Sequence, residues 1–192
     1  SRITQATGID VRLASYSDKN HNQWRIKTDS SVQGRGNGYE LVTPILRGEE
    51  DMIKLRDVVN VIKEYGEINS SCGLHVHIGV NELDAAQYRK LLKLWLKYEY
   101  ACDLLLPESR RTANRYCNRN FQYIYRSCEE ATFGAQLVDC FGRLNTRKNH
   151  RALVGSRGRG FSFGDKYTKL NTGHFWNQGT IEFRSHSGTL NK

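Results

Sequence analysis

Apolar residues recur at every second position in several short stretches of the chain and at every third or fourth position in longer ones. The first period marks a half-buried strand and the second an amphipathic helix. Residues 8–14 alternate and are expected to form a strand, and residues 22–28 form its hairpin partner, with Asn20, His21 and Asn22 as the polar turn. Gly34, Gly36 and Gly38 mark a loop over residues 30–37, and the next alternating run stops at Pro44. Residues 49–65 have helical spacing, with Met52, Leu55, Val58, Val59 and Ile62 on one side, acidic residues at the start and Gly66 as the stop. A second helix is expected to start at an Asp84 cap and run to about Leu105, before Pro107. Residues 108–153 read as mostly helical, residues 154–165 as a glycine-rich loop, and residues 167–171 and 179–186 as the last strands.

Strands in hairpins with helices collected between them predict an α+β layer: an antiparallel sheet with helices packed on one face and a ligand surface on the other. Neither an internal repeat nor a low-complexity linker interrupts this pattern, so residues 1–192 are expected to be a single domain.

Two of these strands carry unusual polar faces. In Leu74-His75-Val76-His77-Ile78 the imidazoles project together while Leu74, Val76 and Ile78 are expected to point into a core. In residues 180–186, Glu182, Arg184 and His186 are expected to line up opposite Ile181 and Phe183. Asp29 and Glu40 flank the glycine-rich turn at predicted strand ends. Hard divalent cations take carboxylate and phosphate oxygens, and a histidine can complete the sphere. An arginine beside a ligand carboxylate suits phosphate, because its planar fork binds oxyanions bidentately. Asp29, Glu40, His75, His77, Glu182 and Arg184 are therefore the candidate set for metal-assisted phosphoryl transfer. In isolation, two histidines on a sheet surface or a Glu182–Arg184 ion pair are ordinary features; their coincidence carries the reading.

Composition narrows the class. With 38% hydrophobic and 26% charged residues the chain is globular, and no apolar run is long enough to span a bilayer. Five cysteines without a CxxC pair fit a reducing compartment, so cytoplasm is the expected location. A net charge of +9 favours anionic partners without choosing among them.

Four ordered motifs resemble the amidoligase family, which is related to glutamate–cysteine ligase and glutamine synthetase. They are Trp24-Arg25-Ile26-Lys27-Thr28-Asp29-Ser30-Ser31, Gly38-Tyr39-Glu40-Leu41-Val42-Thr43-Pro44-Ile45-Leu46, Cys72-Gly73-Leu74-His75-Val76-His77-Ile78-Gly79, and Lys166-Tyr167 through Asn171 with Thr180-Ile181-Glu182-Phe183-Arg184. The resemblance implies a sheet of the glutamine-synthetase catalytic type. It also implies an ATP-dependent carboxylate–amine ligase that uses Mg²⁺ or Mn²⁺ and makes an amide through an acyl phosphate. A carboxylate substrate and an amine acceptor, small molecules or peptides, would be its partners, with no membrane involved. Asp29, Glu40, one of His75 or His77, and Glu182 resemble the metal ligands. Arg184 resembles the residue that steadies the transferring phosphate, and Lys166 resembles a nucleotide contact. The family's opening strand with two alternating glutamates has no counterpart here, so the domain is expected to lack its first strand.

Other readings compete. Cys72 with His75 and His77 has usable zinc ligands but no evident fourth. The basic helices and the loop holding Arg157 and Arg159 suit a nucleic-acid-binding module, and a nucleotide-binding relative without turnover is the second rival. Arg110 and Arg111 fit either a phosphate contact or a solvated helix start, Trp95, Tyr98 and Tyr100 fit a core, and Cys72 fits a packing thiol.

Overall fold

The computed structural model describes residues 1–18, 20–34, 36–111, 114–120, 166–174 and 178–190. The chain divides into two units, Ser1–Cys72 with Gly188–Lys192, and Gly73–Ser187, each described by itself. Both mix small sheets with a few helices, so the class is α+β.

The first unit opens with helix α1 (Arg2–Thr7), which the periodicity did not predict. Ser1 caps it by accepting from the Thr4 N–H at 3.1 Å, and Gly8 ends it in the left-handed region at φ 72°. Strands β1 (Val11–Ala14), β2 (Trp24–Thr28) and β3 (Tyr39–Val42) form one sheet in that order. β2 and β3 are antiparallel, with Lys27 opposite Glu40. β1 and β2 are not the expected hairpin: they run parallel, Val11 beside Trp24. The connection turns twice instead of once. One turn closes as the Asp18 N–H donates to the Ser15 carbonyl at 3.1 Å, and the next is shaped by Asn20 and Asn22 N–H groups bonding to the side chains two residues back. The Arg25 guanidinium and the Lys27 ammonium then both donate to the Asp18 carbonyl, drawing the loop back along the strand.

Helix α2 (Gly48–Tyr65) packs Val58 against Ile3, Val11 and Trp24, with Leu55, Ile62, Ile26 and Leu41 around them. Burying this apolar face is what holds a helix of marginal intrinsic stability in place. Glu49, Glu50 and Asp51 sit in its first turn, where the dipole favours them. Met52 departs from the expected face and is 55% exposed. Gly66 stops α2 with its N–H on the Ile62 carbonyl at 2.7 Å; its backbone is extended, and a Cβ there would sit 2.9 Å from that carbonyl oxygen.

The second unit contains β4 (Gly73–Gly79), α3 (Ala85–Asp103), the short α4 (Glu108–Arg111), β5 (Leu170–Asn171) and β6 (Thr180–Ser187). Its sheet is antiparallel throughout, in the order β4-β6-β5. Asp84 caps α3 as expected, in a reciprocal box with Gln87. Trp95 of α3 meets Phe183 of β6 edge to face at 5.4 Å, which places the helix on the sheet's apolar side. Tyr98 and Tyr100 are exposed, contrary to the expected core role.

The apolar residues of β4 do not reach a core: Leu74, Val76 and Ile78 are 41%, 44% and 48% exposed. β4 is an edge strand among the described residues, while the Trp95 contact covers its inner neighbour. Register also shifts within the β4–β6 pair. Val76 faces Phe183 but Leu74 faces His186, so the single residue His75 opposes both Arg184 and Ser185. Such a bulge inverts the alternation beyond it. His186 therefore falls on the Leu74 face, away from Glu182, and the expected line of Glu182, Arg184 and His186 is broken.

A two-residue strand cannot hold register alone, and β5 is clamped by a buried polar network. Asn120 pairs with Leu170 through both its amide atoms, at 2.8 and 2.9 Å, and the Asn120 N–H donates to Glu99 Oε1 at 2.6 Å. Lys169 is buried and bonds Asp103, which also accepts from Arg119 Nε at 2.5 Å. Asp103 thus pairs with both cations, as burial of charge demands. Of the long helical reading over residues 108–153, the described part contains α4, a turn after it and the bridge of Asn118 to Thr168, and the rest lies outside the described residues. Among the described residues no helix is long and apolar enough to cross a membrane.

Candidate active site

Glu182 lies on β6, the central strand, so it has a neighbour on each side: His77 of β4 and Asn171 of β5. The carboxylate is 2% exposed and both its oxygens are occupied. Arg184 Nη1 donates to Oε1 at 2.5 Å, with His75 Nδ1 at 3.3 Å and His77 Nε2 at 3.8 Å from the same oxygen. Asn171 Nδ2 donates to Oε2 at 2.7 Å, and His174 Nε2 lies 3.2 Å from it. Three imidazoles, an amide and a guanidinium thus surround one carboxylate.

The supporting contacts orient these groups. Thr180 Oγ1 lies 3.3 Å from His77 Nδ1, leaving Nε2 to face Glu182. Asn171 Oδ1 accepts the Gly173 N–H at 2.9 Å, a tight turn that swings His174 back toward the sheet. The rings of His77 and His174 then meet edge-on at 4.9 Å.

Electrostatics set the protonation states. Burial pushes the Glu182 carboxyl upward, but the His174 hydrogen bond and the charges of Arg184, His77 and His75 outweigh it and hold the pKa down to about 2. Burial lowers His75, and the positive Arg184 adds to that against the pull of Glu182, so its pKa falls to about 4. At neutral pH Glu182 is an anion and His75 a neutral base. An acid this strong cannot serve as a general base near pH 7; its role is to hold charge.

Ligand atoms of His77, His174 and Glu182 lie within 4.8 Å of one another, the spacing of groups that can share a cation. Two imidazoles and a carboxylate are ligand types of a borderline ion such as Zn²⁺, and of the hard ions Mn²⁺ takes imidazole nitrogen more readily than Mg²⁺, which prefers oxygen. Cys72 belongs to the first unit, where its Sγ lies 3.9 Å from Asn69 Oδ1.

The structure brings His75, His77, Glu182 and Arg184 together, as the alternation predicts. Asp29 and Glu40 belong to the first unit. Asp29 follows β2, where its Oδ1 accepts from the Ser31 N–H at 2.8 Å and the Ser31 hydroxyl at 2.7 Å. Glu40 stands exposed on β3 opposite Lys27. Lys166 is exposed, its ammonium 5.0 Å from the centre of the Tyr167 ring. The loop holding Arg157 and Arg159 lies outside the described residues.

Sequence reasoning missed Asn171 and His174. The available signal was an Asn-x-Gly turn immediately after a strand, followed at once by a histidine, a pattern that aims a side chain back along the sheet.

A family model described as "putative amidoligase enzyme" matches residues 1–192. Among curated proteins and solved structures, nothing matches the chain.

Proposed function

The chain belongs to this amidoligase family, and on that footing we propose that it is an ATP-dependent carboxylate–amine ligase. Family membership points to ligase-type activity; the mechanism that follows is our reading of the site. A substrate carboxylate oxygen attacks the γ-phosphorus of ATP, the new O–P bond forms as the bond to ADP breaks, and ADP leaves. The amine nitrogen then attacks the acyl carbon, inorganic phosphate departs with its oxygen, and the nitrogen loses a proton to solvent.

What both steps require is relief of negative charge, since two anions must meet. The observation that carries the proposal is the buried Glu182 anion with His77 and His174 converging on it. A divalent cation held by these three groups, Mn²⁺ or Mg²⁺, would supply Lewis-acid charge to phosphoryl oxygens. Arg184, fixed by its bond to Glu182, offers its remaining N–H groups to the transferring phosphoryl group. His75, neutral and beside Arg184, adds an imidazole without adding repulsion to the cationic site. Asp29 and Glu40 enter as further metal ligands, and Lys166 as a nucleotide contact, through the resemblance of their motifs.

Mn²⁺ binding followed by electron paramagnetic resonance, combined with ADP release over a panel of acids and amines, tests this reading. Saturable Mn²⁺ binding and ADP release that needs both an acid and an amine are expected. Absence of Mn²⁺- or Mg²⁺-dependent nucleotide binding would overturn it. Binding to RNA or DNA that falls steeply with salt and survives Glu182→Ala would point to the nucleic-acid rival instead.

A further inference from the structure

Arg110 and Arg111 are adjacent in sequence but not in fate. Arg111 is exposed, its Nε bonded to the Leu106 carbonyl at 2.7 Å. Arg110 is only 3% exposed, so the solvated-helix explanation does not apply to it. Its guanidinium reaches across to β4 beside the candidate site. A Cβ added at Gly73 would lie 2.5 Å from Arg110 Nη2 and 3.0 Å from His75 Nε2, so the guanidinium packs directly over the bare backbone of residue 73, beside the imidazole. On the other side of the ring, Arg184 Nη1 lies 3.4 Å from His75 Nδ1. Two guanidiniums therefore flank one imidazole at the exposed edge of the sheet.

We infer that Arg110 and Arg184 together form an oxyanion-binding pair that takes a phosphoryl or carboxylate group of the substrate. The inference rests on the ligase reading for the identity of that group, and on geometry for the site itself. Arg184 spends Nη1 on Glu182 and His75, while its buried Nε makes no hydrogen bond. A buried donor left unmade is costly, and a ligand oxygen would satisfy it. Each guanidinium carries five N–H donors in a fixed fork, so an oxyanion at the edge of the imidazole they flank can accept from both.

Calorimetric titration of the whole chain with inorganic phosphate, and separately with glutarate, tests the pair. Saturable binding of phosphate assigns the site to a phosphoryl group, and saturable binding of glutarate assigns it to a substrate carboxylate. In either arm Arg110→Gln and Arg184→Gln are expected to weaken binding by about tenfold or more, as loss of a charge-assisted contact should. Gly73→Ala, which displaces the Arg110 guanidinium but removes no charge, is expected to weaken it too, whereas Arg111→Gln leaves it unchanged. Should Arg110→Gln fail to fold, Arg110→Lys keeps the buried charge without the fork and is expected to lose several-fold. The inference is overturned if neither anion saturates the wild-type protein, or if folded Arg110 variants bind as tightly as wild type. Because this measurement needs no turnover, Arg110-dependent anion binding without ADP release would sink the ligase reading alone.

Discussion

Asn171 and Glu182 face each other across the β5–β6 pair, and the Asn171 side-chain amide donates to Glu182 Oε2 at 2.7 Å while its oxygen closes the turn that leads to His174. One side chain thus satisfies a buried carboxylate and positions a neighbouring imidazole. Asn171→Ala removes both functions. We expect a loss of roughly 2 kcal/mol in unfolding free energy, the usual magnitude for a hydrogen bond to a charged group. Urea denaturation at neutral pH measures it, and an unchanged midpoint would show that Asn171 contributes little.

Glu182→Gln keeps the side chain's volume and removes its charge. ADP release is expected to fall by about a hundredfold or more, since electrostatic groups at phosphoryl-transfer sites contribute on that scale. Circular dichroism should show the fold retained. Normal turnover in the folded variant would assign Glu182 a purely structural role.

The bulge at Arg184 and Ser185 makes two histidines separable. His174→Ala should weaken Mn²⁺ binding by at least about tenfold, the scale on which even outer partners of metal sites act. His186→Ala should leave it unchanged, because the bulge turns that residue to the Leu74 face. Equal losses in both variants would contradict the register.

Acid should destabilise the metal-free protein in two adjoining windows. His75 has its folded pKa lowered from 6.5 to about 4. The unfolded chain therefore binds the extra proton first, and stability declines as pH falls from about 6.5 to about 4, by on the order of 2 kcal/mol after allowance for partial exposure. Glu182 has its folded pKa lowered from 4.5 to about 2, so its contribution is present above 4.5 and is lost as pH falls toward 2, on the order of 3 kcal/mol. Unfolding midpoints measured across pH should therefore fall continuously below 6.5, and His75→Asn should flatten the upper window. A curve for His75→Asn that parallels wild type would refute the assignment to His75.

Gly38 sits where the chain turns from Asp29 into β3. A Cβ at this position would lie 2.5 Å from the Asp29 carbonyl oxygen and 2.6 Å from that of Val32, and backbone atoms cannot step aside. Gly38→Ala should cost about 2 kcal/mol or more, as overpacking against rigid neighbours does. Thermal unfolding of the variant checks this; a melting temperature equal to wild type would mean the turn is compliant.

The amino-acid sequence on its own determined some of the shared faces and the starts of the two long helices. Period-two alternation put His75 beside His77 and Glu182 beside Arg184, and the Asp84 cap and the apolar stripe centred on Val58 located α3 and α2. These are local properties, set by backbone geometry within a few residues. Tertiary structure alone decided that β1 and β2 run parallel, that a bulge turns His186 away, that Asn171, eleven residues back in the chain, and His174 after it meet Glu182, and that Arg110 is buried while Arg111 is not. Strand direction, register and burial depend on which distant segments pair, and that choice is made by the summed packing of the whole unit, which no short window of sequence contains.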